Sequence, residues 1–143
     1  MVGSDLALVM EEYFKALDAF VKGDPGPVKN LMSRRDDVTL ANPIGPPVRG
    51  WNEVAETTDR AASLGRDGEF TGWETISDYA TADLAYVVGI QRSRLKLGGA
   101  DDFSSVSLRV TTIFRHEDDG WKIVHRHADP ITSPRPIESV TEQ

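Results

Sequence analysis

The chain has 143 residues, of which 39% are hydrophobic and 27% charged, with a formal net charge of −7 and no cysteine. That length suits a single domain with its own core, and the missing cysteine removes disulfides, thiolate metal sites and cysteine nucleophiles together. The acidic balance argues against a nucleic-acid partner, no run approaches the ~20 apolar residues of a membrane span, and the N-terminus lacks the basic-then-apolar pattern of a signal peptide.

Ser4-Asp5 can cap a first helix. Leu6, Val9 or Met10, Tyr13, Leu17 and Phe20-Val21 then recur at three- and four-residue spacing and define one buried face, with Glu11, Glu12, Lys15, Asp18 and Lys22 mostly on the other. Gly23 reads as a left-handed C-cap. Asp24 caps a short second helix with Pro25 in its first turn, burying Val28, Leu31 and Met32 and ending at Arg34-Arg35, where positive charge suits a helix C-terminus.

Residues 36–51 change character three times. Asp36-Asp37 is a solvated lead-in, Val38 to Ala41 a short strand, and Asn42-Pro43 its end, because proline has no N–H for a ladder and holds the preceding residue extended. Gly45, Pro46, Pro47 and Gly50 make a rigid bend, expected to form the lip of a pocket. A third helix opens at Trp51 or Asn52, buries Val54, Thr58, Ala61-Ala62 and Leu64, and stops at Gly65 and Gly68.

Four strands follow: Phe70–Tyr79, Leu84–Leu97, Phe103–His116 and Trp121–Ala128. Their short connections imply an antiparallel meander, and Asp119-Gly120 between two apolar runs is the firmest hairpin signal. Three helices and these strands make an α+β domain over residues 1–143, with a structured core at about 5–130 and a loosely held tail at 131–143. In Leu84–Ile90 both alternating sets are apolar enough to be covered, one by the helices and the other by a second copy of the chain.

The sequence Asp36-Asp37-x-Thr39-x-x-Asn42-Pro43-x-Gly45, the Gly50-Trp51 helix and the closing Asp119-Gly120-Trp121-Lys122-Ile123-Val124-His125-Arg126-His127 resemble the SnoaL-like and ketosteroid-isomerase-like proteins of the nuclear-transport-factor-2-like superfamily, over about residues 5–130. The resemblance implies a cystatin-like cone: three N-terminal helices in the concave face of a strongly curved antiparallel sheet, a deep apolar pocket, and dimers packed sheet to sheet. The closing segment also resembles the association domain of calcium/calmodulin-dependent kinase II. A fold shared by isomerases, cyclases, hydrolases, dehydratases and assembly modules does not choose among them.

The isomerase resemblance can be followed position by position. Its general base is an aspartate before the proline of the pivot motif, where this chain has Asn42, a carboxamide unable to take a proton near neutral pH. Its oxyanion-hole tyrosine falls at Ala16, with Tyr13 one turn away, and its protonated aspartic acid falls at about Thr112. Steroid isomerisation is therefore not expected.

The candidate pocket residues are Tyr13, Asn42, Trp51, Thr112 and Arg126. Asn42 could orient a carbonyl or water, or simply close an Asx turn before Pro43. Arg126 could hold a carboxylate or phosphate bidentately, or pair with a nearby carboxylate. Tyr13 and Trp51 could line the cavity or pack the core. His125, His127 and Asp129 share one strand parity, and Trp121 and Ile123 continue it, so the row is read as a sheet-face interface ahead of an acid–base or metal site. Parity decides whether Arg126 or His127 sees the pocket.

The expectation is thus a small apolar or amphipathic ligand in a deep pocket, a homodimer through the sheet face, a cytoplasmic location, and no metal, cofactor, nucleic acid or membrane. A non-catalytic association module is the alternative, as is a lyase, isomerase or hydrolase with an unidentified substrate.

Overall fold

The computed structural model describes residues 2–142, with side chains from residue 5 onward. Helix α1 (Val2–Val21) begins ahead of the expected cap, so Asp5 lies in its first turn. The Ser4 side chain, part of that expected cap, lies outside the described residues. Leu6, Tyr13, Ala16, Leu17 and Val21 are buried along one face. Gly23 ends the helix at φ +99°, a backbone conformation that glycine takes without a Cβ penalty.

Helix α2 (Gly26–Leu31) has Pro25, not the expected Asp24, at its N-cap; Asp24 lies one residue earlier and accepts the Gly26 N–H at 3.0 Å. This helix ends before Arg34 and Arg35, which sit in the following loop and do not cap it. Arg34 instead stacks over Trp51 at 3.9 Å, and Arg35 comes within 3.7 Å of Glu117.

Strand β1 (Thr39–Ala41) pairs antiparallel with β2 (Val48–Arg49), a two-residue strand inside the segment expected to be only a bend. Two residues between a proline pair and Gly50 are too few to show alternation. Helix α3 (Trp51–Ala62) buries Val54, Thr58 and Ala62 and ends before the two glycines expected to stop it. Both belong to β3 (Gly65–Ala80). A Cβ on Gly68 would lie 2.3 Å from the Val21 carbonyl oxygen, so this glycine lets the end of α1 close onto the sheet.

Strands β4 (Leu84–Leu97), β5 (Ser104–Glu117) and β6 (Gly120–Asp129) complete the meander. The sheet order is β2-β1-β6-β5-β4-β3, antiparallel except for β1, which lies parallel to β6. Three irregularities bend β3 against β4. Along β4, Ala85, Val87, Gln91, Ser93 and Leu95 are buried while Leu84, Tyr86, Arg92 and Arg94 are exposed. The first set faces the helices across the core, where Tyr13 meets Phe114 edge-on at 5.9 Å.

A bulge in β6 decides the last strand. Phe114 pairs with Ile123 while Ile113 pairs with His125, so Val124 is the extra residue. Parity reverses there. Trp121 and Ile123 face the core, as do Arg126 and Ala128 opposite Thr112 and Val110. His125, His127 and Asp129 point to the other face, so the expected grouping of Trp121 and Ile123 with the histidines is corrected.

Residues 131–142 are exposed and include a short 3-10 helix, Ile137–Val140. Among the described residues no helix is long and apolar enough to cross a membrane.

Candidate functional site

A cavity of about 340 Å³ opens between α1, α2, α3 and the concave sheet face. Its walls are apolar: Leu17, Phe20, Val28, Met32, Leu40 and Leu95 are representative. Ile44, Leu64 and Leu97 also line it and are exposed, as expected of residues near an opening. The polar lining residues are Asn42, Thr58, Gln91, Ser93 and Arg126. Among the described residues no aspartate, glutamate, histidine or lysine lines it, and Arg126 is its one ionisable group.

Arg126 is half-buried and held from two sides. Its Nη2 donates to Gln91 Oε1 at 2.8 Å, and its Nη1 donates to the Tyr13 hydroxyl. The Tyr13 hydroxyl lies 2.9 Å from Thr112 Oγ1, and both residues are fully buried. The register explains this geometry. Val87, Thr112, Arg126 and Leu40 lie side by side across β4, β5, β6 and β1, and α1 lays Tyr13 over that row.

Tyr13 and Thr112 therefore stand behind the cavity and not in its wall, a correction to the reading that both line it. They orient Arg126. Trp51 is also displaced from the cavity. It lines a separate, more open groove of about 440 Å³ with Arg34, Asp36, Arg49 and Glu53 at the start of α3.

Asn42 combines both of its expected roles. Its side-chain oxygen accepts the Ile44 N–H at 3.0 Å, closing the Asx turn, and the residue also lines the cavity. The amide NH2 remains available to donate. Gln91 is similarly split, because its oxygen is committed to Arg126. Thr58 is spent on its own helix, donating to the Val54 carbonyl at 2.7 Å.

Gln91 and Ser93 were not among the expected site residues. Their neighbours Arg92 and Arg94 make the segment look solvent-facing, yet both continue the parity of Ala85 and Val87. That shared parity was the available signal.

The histidine row lies on the opposite face. His125 Nδ1 is 2.8 Å from Thr39 Oγ1, and burial, helped by the His127 charge, holds its pKa below the usual imidazole value. His127 Nε2 is 3.0 Å from Asp129 Oδ2, which also accepts from Arg109 at 2.7 Å. Burial alone would raise the Asp129 pKa. Hydrogen bonds from Arg109, the Ile131 N–H and His127 outweigh it and keep the carboxyl below the ordinary range. Among the described residues no three His, Cys, Asp or Glu side chains gather as a metal ion requires.

A cone of helices in a curved sheet, with an apolar cavity ending on one arginine, places the protein among the cystatin-like, nuclear-transport-factor-2-like folds. More narrowly, the chain belongs to the SnoaL-like domain family, whose model matches residues 9–132. No curated protein matches it.

Three solved structures illustrate the likeness. A nuclear-transport-factor-2-like protein of Streptomyces avermitilis, provisionally named a dehydratase, is 20% identical over 92% of this chain and 99% of its own, with a TM-score of 0.75. A ketosteroid isomerase-like protein of Erwinia carotovora atroseptica is 21% identical over 91% and 98%, at 0.72. A Thiobacillus denitrificans protein, provisionally named a calcium/calmodulin-dependent protein kinase type II association domain, is 22% identical over 86% and 92%, at 0.64. At such identity the likeness establishes the fold, and the three names point to three different activities.

Proposed function

We propose that this SnoaL-like domain binds a small, largely apolar molecule in the cavity between its helices and the concave sheet face. The observation that carries this reading is the cavity itself: about 340 Å³ of mostly aliphatic wall with a few polar groups gathered around Arg126. Pockets of that size and make-up are the usual form of a small-molecule site. The lining offers hydrogen-bond donors to orient a ligand. Its described residues include no carboxylate or imidazole to act as general base, so binding, not proton transfer, is what they support.

The test uses N-phenyl-1-naphthylamine, a neutral probe that fluoresces in apolar surroundings. It should bind the wild type saturably. Ala61 lines the cavity from the partly accessible side of α3, and Ala61→Trp should block the probe while leaving the circular dichroism spectrum unchanged. Absence of saturable binding to the wild type, or equal binding by the folded Ala61→Trp variant, would refute the reading.

A second reading, self-association, rests on the convex face. Tyr79 and Tyr86 pair there with ring centroids 6.4 Å apart, and Leu84 adjoins them, all exposed in the single chain. Light scattering at micromolar concentration should give a dimer that Tyr86→Glu dissociates. A monomeric wild type would exclude this reading.

A further inference from the structure

We infer that the ligand of this cavity carries an anionic, acceptor-only head, a carboxylate in the simplest case, and that Arg126 and the Gln91 amide receive it. The inference rests on the small-molecule reading above and narrows it to a chemical class.

The argument begins with charge accounting. The chain has more acidic than basic residues, and among the described residues five of its eleven arginines have a carboxylate oxygen within 4.0 Å. Arg92 pairs with Glu74 at 3.1 Å, Arg109 with Asp129 at 2.7 Å, and Arg115 with both Asp37 and Glu117 at 2.8 Å. Arg126 has found none: among the described residues no carboxylate oxygen lies within 4.0 Å of its guanidinium, and its two side-chain partners, Tyr13 and Gln91, are neutral. A guanidinium retains its charge at any physiological pH. Placing it in an apolar cavity without a counter-charge is unfavourable. A ligand that brings the missing negative charge relieves that cost, whereas a neutral ligand does not.

The hydrogen-bonding inventory points the same way. Gln91 is 4% exposed, and its oxygen is occupied by Arg126. Its amide NH2, the guanidinium N–H groups not taken by Tyr13 or Gln91, and the Asn42 amide are all donors. Of the polar lining residues, Ser93 alone offers a hydroxyl that is both donor and acceptor and is not spent within a helix. A head with two acceptor oxygens and no proton fits this set. An alcohol or amine head would add a donor where donors already predominate.

Tyr13 and Thr112 complete the arrangement as positioning residues. Both are fully buried, so neither meets the ligand. The Tyr13 hydroxyl, itself held by Thr112, engages one edge of the guanidinium and fixes the direction in which its other N–H groups point, and that is the pre-organisation a bidentate partner needs.

Displacement of bound N-phenyl-1-naphthylamine by decanoate and by decan-1-ol tests the inference. The two share a chain and differ in their heads. Decanoate should compete at least tenfold more strongly at pH 7.5, the scale of a charged hydrogen-bonded pair over a neutral one. The preference, read as the ratio of the two ligands' competition against the probe, should shrink in Arg126→Gln, which keeps a donor and removes the charge. Raising the salt from low to high concentration should weaken decanoate in the wild type and leave decan-1-ol unchanged. Probe binding with equal competition by the two ligands in the wild type would overturn the head-group inference and leave the small-molecule reading standing. Absence of probe binding would overturn both. The wild-type comparison decides the matter even where Arg126→Gln fails to fold.

Discussion

The Tyr13–Thr112 contact allows a quantitative check of the site's construction. The two hydroxyls are 2.9 Å apart, both residues are fully buried, and Arg126 donates to the same phenol oxygen. Tyr13→Phe removes the oxygen and little else. It strands the Thr112 hydroxyl away from water and takes one acceptor from Arg126. Leaving a buried polar group unsatisfied costs about 1–3 kcal/mol, so the variant should lose about 2 kcal/mol in urea unfolding. With a slope of about 2 kcal/mol per molar for a small domain, the midpoint should fall by about 1 M. Thr112→Val should cost a similar amount by leaving the buried phenol O–H without an acceptor, although Arg126 still donates to its oxygen. The double variant removes both halves of the pair and should be more stable than the sum of the single effects by about 1 kcal/mol, as expected for residues in direct contact. Losses that add to within about 0.4 kcal/mol, the usual scatter for independent sites, would refute a shared hydrogen bond and with it the anchoring of Arg126.

Other consequences can be checked independently. Arg115 holds Asp37 through two hydrogen bonds, at 2.8 and 3.0 Å, and this pairing keeps the Asp37 carboxyl below its ordinary pKa. Its stabilising contribution is present above the unfolded pKa of 3.8 and is lost as pH falls through the lower folded value; in Arg115→Ala, NMR titration of Asp37 should move back up towards 3.8. Glu117, whose side chain is 7% exposed, should make the same variant costly by about 3 kcal/mol in urea, since it would keep a buried charge without its main partner. The depressed His125 pKa gives the same sign of pH dependence in a higher window: protonation opposes folding, so stability should decline as pH drops below the unfolded value of about 6.5, and His125→Gln should flatten that part of the profile in pH-resolved denaturant unfolding. Gly68→Ala should lose at least about 2 kcal/mol by thermal or urea unfolding, because the new Cβ meets the backbone of Val21 and not a side chain that could turn aside; a stability within about 0.5 kcal/mol of wild type would contradict that contact.

The fold was largely legible because its signals are periodic and local. The α1 face, Gly23, the start of α3 and the whole of β4 were placed by spacing and by turn residues. What escaped depends on tertiary context. A bulge adds one residue to β6 without any distinctive side chain, and plain alternation therefore kept Trp121, Ile123 and His125 on one face when the register divides them at Val124. Strand β2 is too short to display a period, and its existence depends on β1 beside it. Trp51 looked like a pocket wall, yet stacking with Arg34 draws it to the outer start of α3. Tyr13 lies on the buried face of α1, as the spacing implied, but only the neighbouring strand reveals that its hydroxyl meets Thr112 and Arg126 behind the cavity. Gln91 carries the same lesson in reverse: between Ile90 and Arg92 it looks like a surface residue, and membership of the buried set of β4 turns it inward.

The most direct test of the central claim is a methyl NMR titration of the full chain with decanoate. Methyl signals of Leu17, Val28, Met32, Leu40 and Leu95, which line the cavity, should shift together and saturate with one binding constant. Those of Leu84, Val88 and Ile90, on the other face of the sheet, should remain unmoved. Shifts confined to that outer face, or no saturable shifts at all, would contradict a binding cavity directed by Arg126.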